Sequence, residues 1–597
     1  MSIPLLQIKN VSVDFVTESG RTSALKNIFI EIERGETVAI VGESGSGKTV
    51  SSLSVLQLLP SPPVQYISGE ILFSEDGNTS IDLLKLKENE LQRIRGNKIS
   101  MIFQEPMTSL NPVKTCGSQV MEAMRIHKDI SQKKAEEKTI KLFQQVKLPD
   151  PAAMLHRYPH QISGGQKQRV MIAMAMSCNP DLLIADEPTT ALDVTVQKTI
   201  LQLIKELQLK QNMSVIYITH DLGLVAEIAD KVIVMYKGNV VEAGSIKNIF
   251  LNPQHPYTKA LLRCRPTASS KGKRLPVISD FLGEVPDVSH QVSGKSEDSL
   301  EMSIENKFTV DEIYFTKNEK KEEKKIQDAT DEPAQPLLKV ENLKVYFPVK
   351  KNFFGKILNE FKAVDEVSFT VNKGETVGLV GESGCGKTTL GRALIRLIPP
   401  TSGNIFFNGK NLAHLKEEQI RKMRKDIQII FQDPYGSLNP RLTIGQAINE
   451  PMKIHKILPT EKQRKEKIME LLRKVDLKPD FFNRYPHEFS GGQRQRICIA
   501  RALGLNPEFI ICDESVSALD VSVQAQVLNL LNDLKAELGF TCIFISHDLG
   551  VVHYISNRIM VMNKGKIEEA GTADEIYYHP QKAYTQQLIA SIPKVSF

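Results

Sequence analysis

The chain carries two copies of a phosphate-binding loop, GESGSGKT at residues 42–49 and GESGCGKT at residues 381–388. Both match G-x-x-x-x-G-K-[ST], in which backbone N–H groups surround nucleotide phosphates, the lysine reaches the β- and γ-phosphates, and the last hydroxyl binds Mg²⁺. One match alone could be a glycine-rich turn with an incidental lysine, and the duplication weakens that interpretation. The predicted phosphate-binding residues are Gly42, Ser44, Gly45, Gly47, Lys48 and Thr49, and Gly381, Ser383, Gly384, Gly386, Lys387 and Thr388.

A pair of acids follows an apolar run later in each half, in LLIADE ending at Glu187 and in FIICDE ending at Glu514. Acids at the carboxyl end of a buried strand need a partner, and a metal ion supplies one. Asp186 and Asp513 fit outer-sphere holders of Mg²⁺, whereas Glu187 and Glu514 fit residues that polarise an attacking water molecule. Acids that only cap a following helix are the alternative for one pair taken alone.

A histidine stands 33 residues after each glutamate, at His220 and His547. Each ends an apolar run and is predicted to contact the γ-phosphate, although a lone histidine there is usually only a hydrogen-bonded residue. Gln104 and Gln432, each after an apolar run and a phenylalanine, are predicted to complete Mg²⁺ or water coordination. Helix capping by the acids does not explain why both copies keep the same distance to the histidine.

The sequence S-G-G-Q occurs once in each half at a predicted helix start, 23 residues before the aspartate of the acid pair. A serine N-cap beside bare glycine backbone can bind an anion. The pattern alone is weak, because it also fits a plain helix cap. The residues predicted to bind nucleotide here are Ser163, Gly165 and Gln166, and Ser490, Gly492 and Gln493.

The elements that must position these residues also repeat. A short apolar strand, at residues 36–41 and again at 375–380, runs straight into each phosphate loop. A helix is predicted to start at the Lys-Thr of each loop and to continue to Leu59 and Leu397. This strand–loop–helix context, followed by further apolar strands, predicts an α/β fold for both halves.

The bulk composition is that of an ordinary soluble protein, with 597 residues of which 41% are hydrophobic and 24% charged. The net charge of +6 is small for this length and gives no broad reason to expect nucleic-acid binding. No run of about 18 apolar residues predicts a membrane-spanning helix, and the N-terminus lacks the pattern of a signal peptide. Seven scattered cysteines without a C-x-x-C pair predict reduced thiols, without zinc or disulfides.

The repeated pattern stops between the halves. Residues 265–336 are polar and carry more acidic than basic side chains. They are predicted to form a charged, partly ordered linker, in which residues 275–278 (LPVI) are expected to pack on the first half. The predicted domains are therefore residues 1–264 and 337–597, joined by this linker.

With the motifs in this order, both halves resemble ATP-binding-cassette (ABC) ATPases. The resemblance implies two tandem P-loop domains, each a RecA-like α/β core with an antiparallel β lobe and an α-helical lobe. It adds Phe15 and Phe347 as aromatics that stack on adenine, and the D-loops Ala-Leu-Asp that end at Asp193 and Asp520. It also implies a head-to-tail sandwich, in which Mg²⁺ and ATP lie between the phosphate loop of one half and the S-G-G-Q of the other. Two competent composite sites are then expected within one chain.

A finer resemblance is to peptide and nickel importers. It is carried by QEPMTSLNP from Gln104, by QDPYGSLNP from Gln432, and by Tyr-Pro-His before each S-G-G-Q. The segment HPYT at residues 255–258 is similar to the C-terminal tail of that group. Residues 581–585 (QKAYT) are a degraded copy without an adjacent His-Pro-Tyr, which leaves open whether the two tails make the same contacts.

The resemblance implies an importer motor that hydrolyses ATP to power uptake of peptides or similar small solutes, such as di- or oligopeptides or glutathione. Two transmembrane permease subunits would dock on the segments after Gln104 and Gln432, and an extracytoplasmic solute-binding protein would deliver the solute. The chain is then expected to be peripheral, at the cytoplasmic face of the bacterial inner membrane, with no nucleic-acid partner.

Two other classes of protein also carry tandem cassettes. Ribosome-associated tandem ATPases typically have a long, helical and basic linker that touches RNA, whereas the linker here is acidic. DNA-repair tandem ATPases would need zinc-binding sets of cysteines, which this sequence does not contain. The sequence therefore favours transport.

Overall fold

The computed structural model describes residues 3–17, 20–104, 109–189, 193–282, 336–351 and 357–592. Within these ranges each half contains a four-stranded sheet, a six-stranded sheet and a set of helices. The two halves repeat the same order of elements, as the duplicated motifs predict. The α/β fold class is therefore confirmed.

An antiparallel sheet opens each half. Its strands are Leu6–Thr17 (β1), Gly20–Ile32 (β2), Val64–Phe73 (β4) and Ile81–Asp82 (β5), with counterparts Leu338–Lys351 (β11), Ile357–Val371 (β12), Ser402–Phe407 (β14) and Lys410–Asn411 (β15). The strand orders are β2-β1-β4-β5 and β12-β11-β14-β15. Burial alternates along β1, so that one face of this sheet packs on the core and the other faces solvent.

The second sheet is parallel except for its last strand and forms the core of each half. Its strands are Thr37–Val41 (β3), Ile99–Ile102 (β6), Leu182–Asp186 (β7), Ser214–Thr219 (β8), Lys231–Tyr236 (β9) and Asn239–Ser245 (β10), with counterparts Thr376–Val380 (β13), Ile427–Ile430 (β16), Phe509–Asp513 (β17), Thr541–Ile545 (β18), Arg558–Asn563 (β19) and Lys566–Thr572 (β20). The orders are β10-β9-β3-β8-β7-β6 and β16-β17-β18-β13-β19-β20. Every residue of β3, β7 and β8 is buried, which is typical of a parallel sheet covered on both faces.

This strand order brings the motifs together. The phosphate loop follows β3, the acid pair ends β7 and the histidine follows β8, and these three strands are neighbours. Parallel strands end at the same edge of a sheet, where α/β proteins bind ligands. The same arrangement holds for β13, β17 and β18 in the second half.

The helices of the first half cover the sheets and build a separate helical lobe. They are Lys48–Val55, Glu88–Ile94, Cys116–His127, Gln132–Gln145, Pro151–Met154, Gly164–Ala175, Val194–Gln211, Leu222–Ile228, Ile246–Leu251 and Pro256–Arg263. Those of the second half are Lys387–Leu394, Glu417–Met423, Pro434–Ser437, Ile444–Ile454, Glu461–Lys474, Gly491–Leu503, Val521–Leu538, Leu549–Ile555, Ala573–Tyr578 and Ala583–Ala590. No helix of the described residues is long and apolar enough to cross a membrane.

The helix after each phosphate loop is shorter than the sequence predicts. It begins at the lysine as expected, but it ends at Val55 and at Leu394 rather than at Leu59 and Leu397. Gln57 and Arg396 then have φ angles of 47° and 57°. This left-handed backbone turns the chain away from the helix axis, because an α-helix requires negative φ angles.

The residues that follow the first half lie on both halves, and Arg265–Leu282 is called the bridging segment below. At one end, the guanidinium of Arg265 donates to Asp221 of the first half at 3.1 Å. Further along, the backbone N–H and C=O of Leu275 bond to the side-chain amide of Asn529 in the second half, at 2.9 and 2.8 Å. The expectation that residues 275–278 pack on the first half is therefore incomplete, because the backbone of Leu275 pairs with the second half, while its buried side chain belongs to an apolar cluster that includes residues of both halves. Residues 283–335 of the predicted linker lie outside the described residues.

Candidate nucleotide sites

Each phosphate loop is folded around its own lysine. Lys48 Nζ donates to the carbonyl oxygens of Gly42 and Glu43 at 2.7 and 2.8 Å, and Lys387 makes the equivalent bonds at 2.8 and 2.9 Å. Burial lowers the pKa of Lys48. The ammonium group is thus held against the backbone of its own loop, where a phosphate would complete its coordination.

The first glycine of each loop is required by space as well as by conformation. Gly42 and Gly381 have φ angles of 153° and 152°, and a Cβ there would lie 2.2 Å from Met235 O and 2.1 Å from Met562 O. The loop therefore lies against the strand next to β3 or β13. This close approach explains why the motif begins with glycine.

The loop threonine lies beside the aspartate of the acid pair. Thr49 Oγ1 donates to Asp186 Oδ1 at 3.3 Å, and Thr388 Oγ1 donates to Asp513 Oδ1 at 3.0 Å. Burial raises the pKa of Asp186 to about 6 and also raises that of Asp513. A buried carboxyl next to a hydroxyl gains from a nearby cation, and hard oxygen donors of this kind suit Mg²⁺.

The glutamate of the acid pair lies between the predicted glutamine and histidine. In the first half, Gln104 Nε2 donates to Glu187 Oε2 at 3.0 Å, and His220 Nδ1 lies 3.2 Å from Glu187 Oε1. Burial opposes the charge of His220, but the hydrogen bond to Glu187 and the glutamate's charge raise the pKa of His220. A carboxylate held from two sides can orient a water molecule.

The second half repeats this arrangement. Gln432 Nε2 donates to Glu514 Oε2 at 2.8 Å, and His547 Nδ1 lies 3.6 Å from the same oxygen. Burial opposes the ionisation of Glu514, but the neighbouring His547 ring lowers the pKa of this carboxyl. Glu187 and Glu514 have φ angles of 45° and 47°, which are rare for non-glycine residues and tend to occur at functional sites.

The S-G-G-Q residues cap a helix, as predicted. Ser163 Oγ accepts from Gln166 N, and Gln166 Oε1 accepts from Ser163 N, which forms a capping box at the start of Gly164–Ala175; the second half does the same. A Cβ at Gly492 would lie 2.3 Å from Val523 Cγ1. The motif therefore packs against the first turn of the helix that follows the D-loop aspartate of its own half.

That helix start touches the phosphate loop of the opposite half. Ser44 N donates to Asp520 Oδ2 at 2.9 Å, and Ser383 N donates to Asp193 Oδ2 at 3.4 Å. The S-G-G-Q of each half thus packs on the element that contacts the other half's loop. The preceding D-loop residues Ala191 and Leu192 lie outside the described residues, as do residues 105–108 after Gln104.

A second pair of contacts across the halves was missed from the sequence. Glu382 Oε1 accepts from Thr195 Oγ1 at 2.9 Å, and Glu43 Oε1 accepts from Ser522 Oγ. The signal was present: a glutamate follows the first glycine of both loops, and a hydroxyl residue stands two positions after each D-loop aspartate. Its meaning depends on the docking of the halves, which the sequence pattern does not show.

The predicted adenine-stacking residues lie in the antiparallel sheets. Phe15 is half-buried at the end of β1, where it pairs with Thr22 and Val64, and Phe347 is exposed on β11. Their role remains a prediction. In the part of the chain that the structure describes, no group of three or more His, Cys, Asp or Glu side chains could hold a metal ion.

Two family models match this chain. The ABC transporter model covers residues 25–190 and 364–517, and the model of the oligopeptide/dipeptide transporter C-terminal region covers residues 241–295 and 568–597. The first model accounts for more than half of the chain and includes both phosphate loops. The chain therefore belongs to the ABC transporter family, as an ATP-binding subunit with ATPase activity.

Within that family the chain is similar to glutathione import ATP-binding proteins over nearly its whole length. It is 44% identical to the glutathione import ATP-binding protein GsiA of Pectobacterium atrosepticum and 46% identical to that of Escherichia coli K12, over 99% of this chain and 89% of each relative. Among solved structures, it is similar to a dimeric post-hydrolysis state of the ATP-binding cassette MJ0796 bound to ADP and Pi. That likeness covers 40% of this chain and 98% of the other, with 28% identity and a TM-score of 0.36.

Proposed function

We propose that this chain powers the import of peptides or similar small solutes, with two Mg²⁺–ATP sites formed head-to-tail between its halves. The observation that supports composite sites best is the pair of reciprocal contacts from Asp520 to the loop at Ser44 and from Asp193 to the loop at Ser383. Each site then uses the phosphate loop of one half and the S-G-G-Q of the other. The tether makes their docking an intramolecular event.

The residues of each site are assigned separate roles. The phosphate loops bind the ATP phosphates, and Ser163 or Ser490, with the glycines beside them, contact the nucleotide held by the opposite loop. Glu187 and Glu514 orient the attacking water, and His220 and His547 contact the γ-phosphate. Phe15 and Phe347 stack on adenine, in keeping with the resemblance.

Mg²⁺ fits the hydroxyl and carboxylate beside each loop. Thr49 with Asp186, and Thr388 with Asp513, would hold the ion, and the amides of Gln104 and Gln432 would complete its coordination. When bound, the ion would neutralise charge that develops on the phosphates. It would also compensate the buried carboxyl of Asp186, whose pKa burial raises to about 6.

The solute class rests on the C-terminal tails and on the relatives. The match to the oligopeptide/dipeptide transporter C-terminal region, and the name of the glutathione import relatives, favour di- or oligopeptides, glutathione or related solutes. The chain would act peripherally, at the cytoplasmic face of the bacterial inner membrane, with two permease subunits and an extracytoplasmic solute-binding protein. Tyr435, which follows Gln432 and is 63% exposed, lies on the expected permease-docking surface.

The hydrolytic role is tested by changing both glutamates to glutamine. Glu187→Gln with Glu514→Gln should abolish ATP turnover while ATP still binds and the closed state accumulates, because the amide cannot accept the proton of the attacking water. Glu122→Gln, in an exposed ion pair with Lys114, is the matched control and should leave turnover unchanged. Wild-type turnover in the double variant would refute the role of these residues.

The transport role is tested by recovering partners from membranes. Affinity capture of the intact chain should bring down two permease subunits, and reconstitution with them should couple ATP turnover to uptake of labelled glutathione or dipeptides. Recovery of ribosomes in place of permeases would indicate a ribosome-associated tandem ATPase instead. ATP-coupled uptake that accepts neither peptides nor glutathione would refute the solute class while leaving the transport role intact.

A further inference from the structure

The C-terminal tail of the first half contacts the phosphate loop. Tyr257, in the helix Pro256–Arg263, is fully buried, and its ring packs on Tyr236 with centroids 4.3 Å apart. Its hydroxyl accepts the backbone N–H of Glu43 at 2.9 Å. A tail side chain therefore fixes the second residue of a loop that lies more than 200 positions earlier in the chain.

The second half makes the same contact from its degraded tail. The hydroxyl of Tyr584, in the helix Ala583–Ala590, accepts the N–H of Glu382 at 3.0 Å. Lys582 and Ala583 take the places of the histidine and proline without changing where the tyrosine lies. The question left open by the sequence is thus answered: the tyrosine contact is the same in both halves.

A carboxylate on the last strand of each core sheet holds each tail in this position. Glu242 accepts from the backbone N–H groups of Gln254 and His255, at 2.8 and 3.0 Å. Glu569 accepts from the same two positions of the second tail, Gln581 and Lys582, at 2.7 and 3.2 Å. In each half, a hydrogen-bonded turn therefore sets the position of the tyrosine.

The loop residue that the tyrosine fixes also reaches the other half. Glu43 bonds through its carboxylate to Ser522, and Glu382 bonds to Thr195 at 2.9 Å. One residue of each loop is thus tied by its backbone to the tail of its own half and by its side chain to the opposite half. The next residue of each loop donates its N–H to the opposite D-loop aspartate.

We propose that Tyr257 and Tyr584 are positioning residues of the two ATP sites, each fixing the phosphate loop of its own half so that the loop's glutamate can reach the opposite half. This inference rests on the proposed phosphate-binding role of the loops. We expect the hydroxyl to hold the loop in one shape both before and after ATP binds, so its loss should weaken binding of ATP and of the transition state equally. Such uniform losses raise KM and leave kcat unchanged.

The test compares steady-state ATP turnover by the intact chain carrying Tyr257→Phe, Tyr584→Phe or both. Phenylalanine keeps the ring and removes only the acceptor, and loss of one such hydrogen bond should raise KM for ATP by about fivefold. Because the two sites are equivalent in this contact, the double variant should show a single raised KM. Tyr236→Phe, which removes a hydroxyl from the neighbouring ring, is the matched control and should keep the wild-type KM.

A double-mutant cycle separates positioning from a purely structural role. If the hydroxyl acts by placing Glu43, adding Glu43→Gln to Tyr257→Phe should raise KM by clearly less than the same change does in the wild type. Strictly multiplicative effects, an unchanged KM in the tyrosine variants, or a fall in kcat and melting temperature at constant KM would each overturn the proposal. Failure of the proposed function shows separately, as turnover that survives Lys48→Ala combined with Lys387→Ala.

Discussion

The attachment of the bridging segment to the second half should be loosened by a single substitution, Asn529→Ala. Asn529 is 3% exposed in the helix Val521–Leu538, and its amide satisfies both backbone groups of Leu275, which is itself buried. It also accepts from the Tyr554 hydroxyl at 3.2 Å. Alanine would leave the N–H and C=O of Leu275 buried without these partners.

The size of the effect follows from this burial. An unsatisfied buried polar group costs about 1–3 kcal/mol, so two such groups, allowing for some relaxation, should cost about 2–4 kcal/mol. The segment also carries an ion pair between Arg274 and Asp533, whose side chains are 70% and 60% exposed. Exposed ion pairs contribute at most about 1 kcal/mol, so Asp533→Asn is the matched control on the same helix.

Amide hydrogen exchange of the bridging segment measures this opening directly. A local loss of about 2 kcal/mol accelerates exchange by about 30-fold when exchange follows local opening. Peptides that contain Leu275 should therefore lose protection in Asn529→Ala. In Asp533→Asn their exchange should accelerate by less than about fivefold. Equal protection in the two variants would refute the view that the buried amide, and not the surface charges, fastens the segment.

Two further predictions concern the phosphate loop and the second half. Gly381→Ala should lower the melting temperature far more than Gly384→Ala does. A Cβ at Gly381 would lie 2.1 Å from Met562 O, whereas no atom lies within 4 Å of a Cβ at Gly384. Equal melting temperatures of the two variants would contradict this prediction. Burial lowers the pKa of His553, although the hydrogen bond with Asp574 acts in the opposite direction. As the pH drops below about 6.5, the unfolded chain therefore binds a proton at His553 more readily than the folded chain does, and the stability of the fold decreases. His553→Gln should flatten this dependence between pH 7.5 and 5.5, and an unchanged slope would exclude His553 as its source.

The sequence was sufficient wherever an element and its function lie within one local pattern. Apolar runs before the phosphate loop and the acid pair predicted β3 and β7, and the S-G-G-Q pattern predicted the N-cap that Ser163 forms. Repetition of the whole series then predicted two equivalent halves. The ends of helices were predicted less well. The apolar pattern continues to Leu59, but the left-handed backbone at Gln57 ends the helix before that residue.

Contacts that depend on how distant elements dock could not be predicted in this way. The first half was the only expected partner of Leu275, yet its backbone pairs with Asn529 of the second half. Tyr584 had lost the neighbours that identify the tail, but its place is set by the turn that Glu569 holds. In both cases the deciding partner carries no motif, and for Leu275 it also lies 254 positions away along the chain.

The contacts between the halves differ in strength according to where they lie. Toward the ATP sites they include single polar bonds to the loops, such as those from Asp520 and Asp193, and these are part-buried or exposed. At the bridging segment they include a buried double hydrogen bond and side chains that belong to one continuous apolar cluster shared by both halves. Because exposed polar bonds exchange readily with water while buried ones do not, we expect the halves to separate at the loops first. The bridging segment would then act as the fixed end about which the ATP sites open.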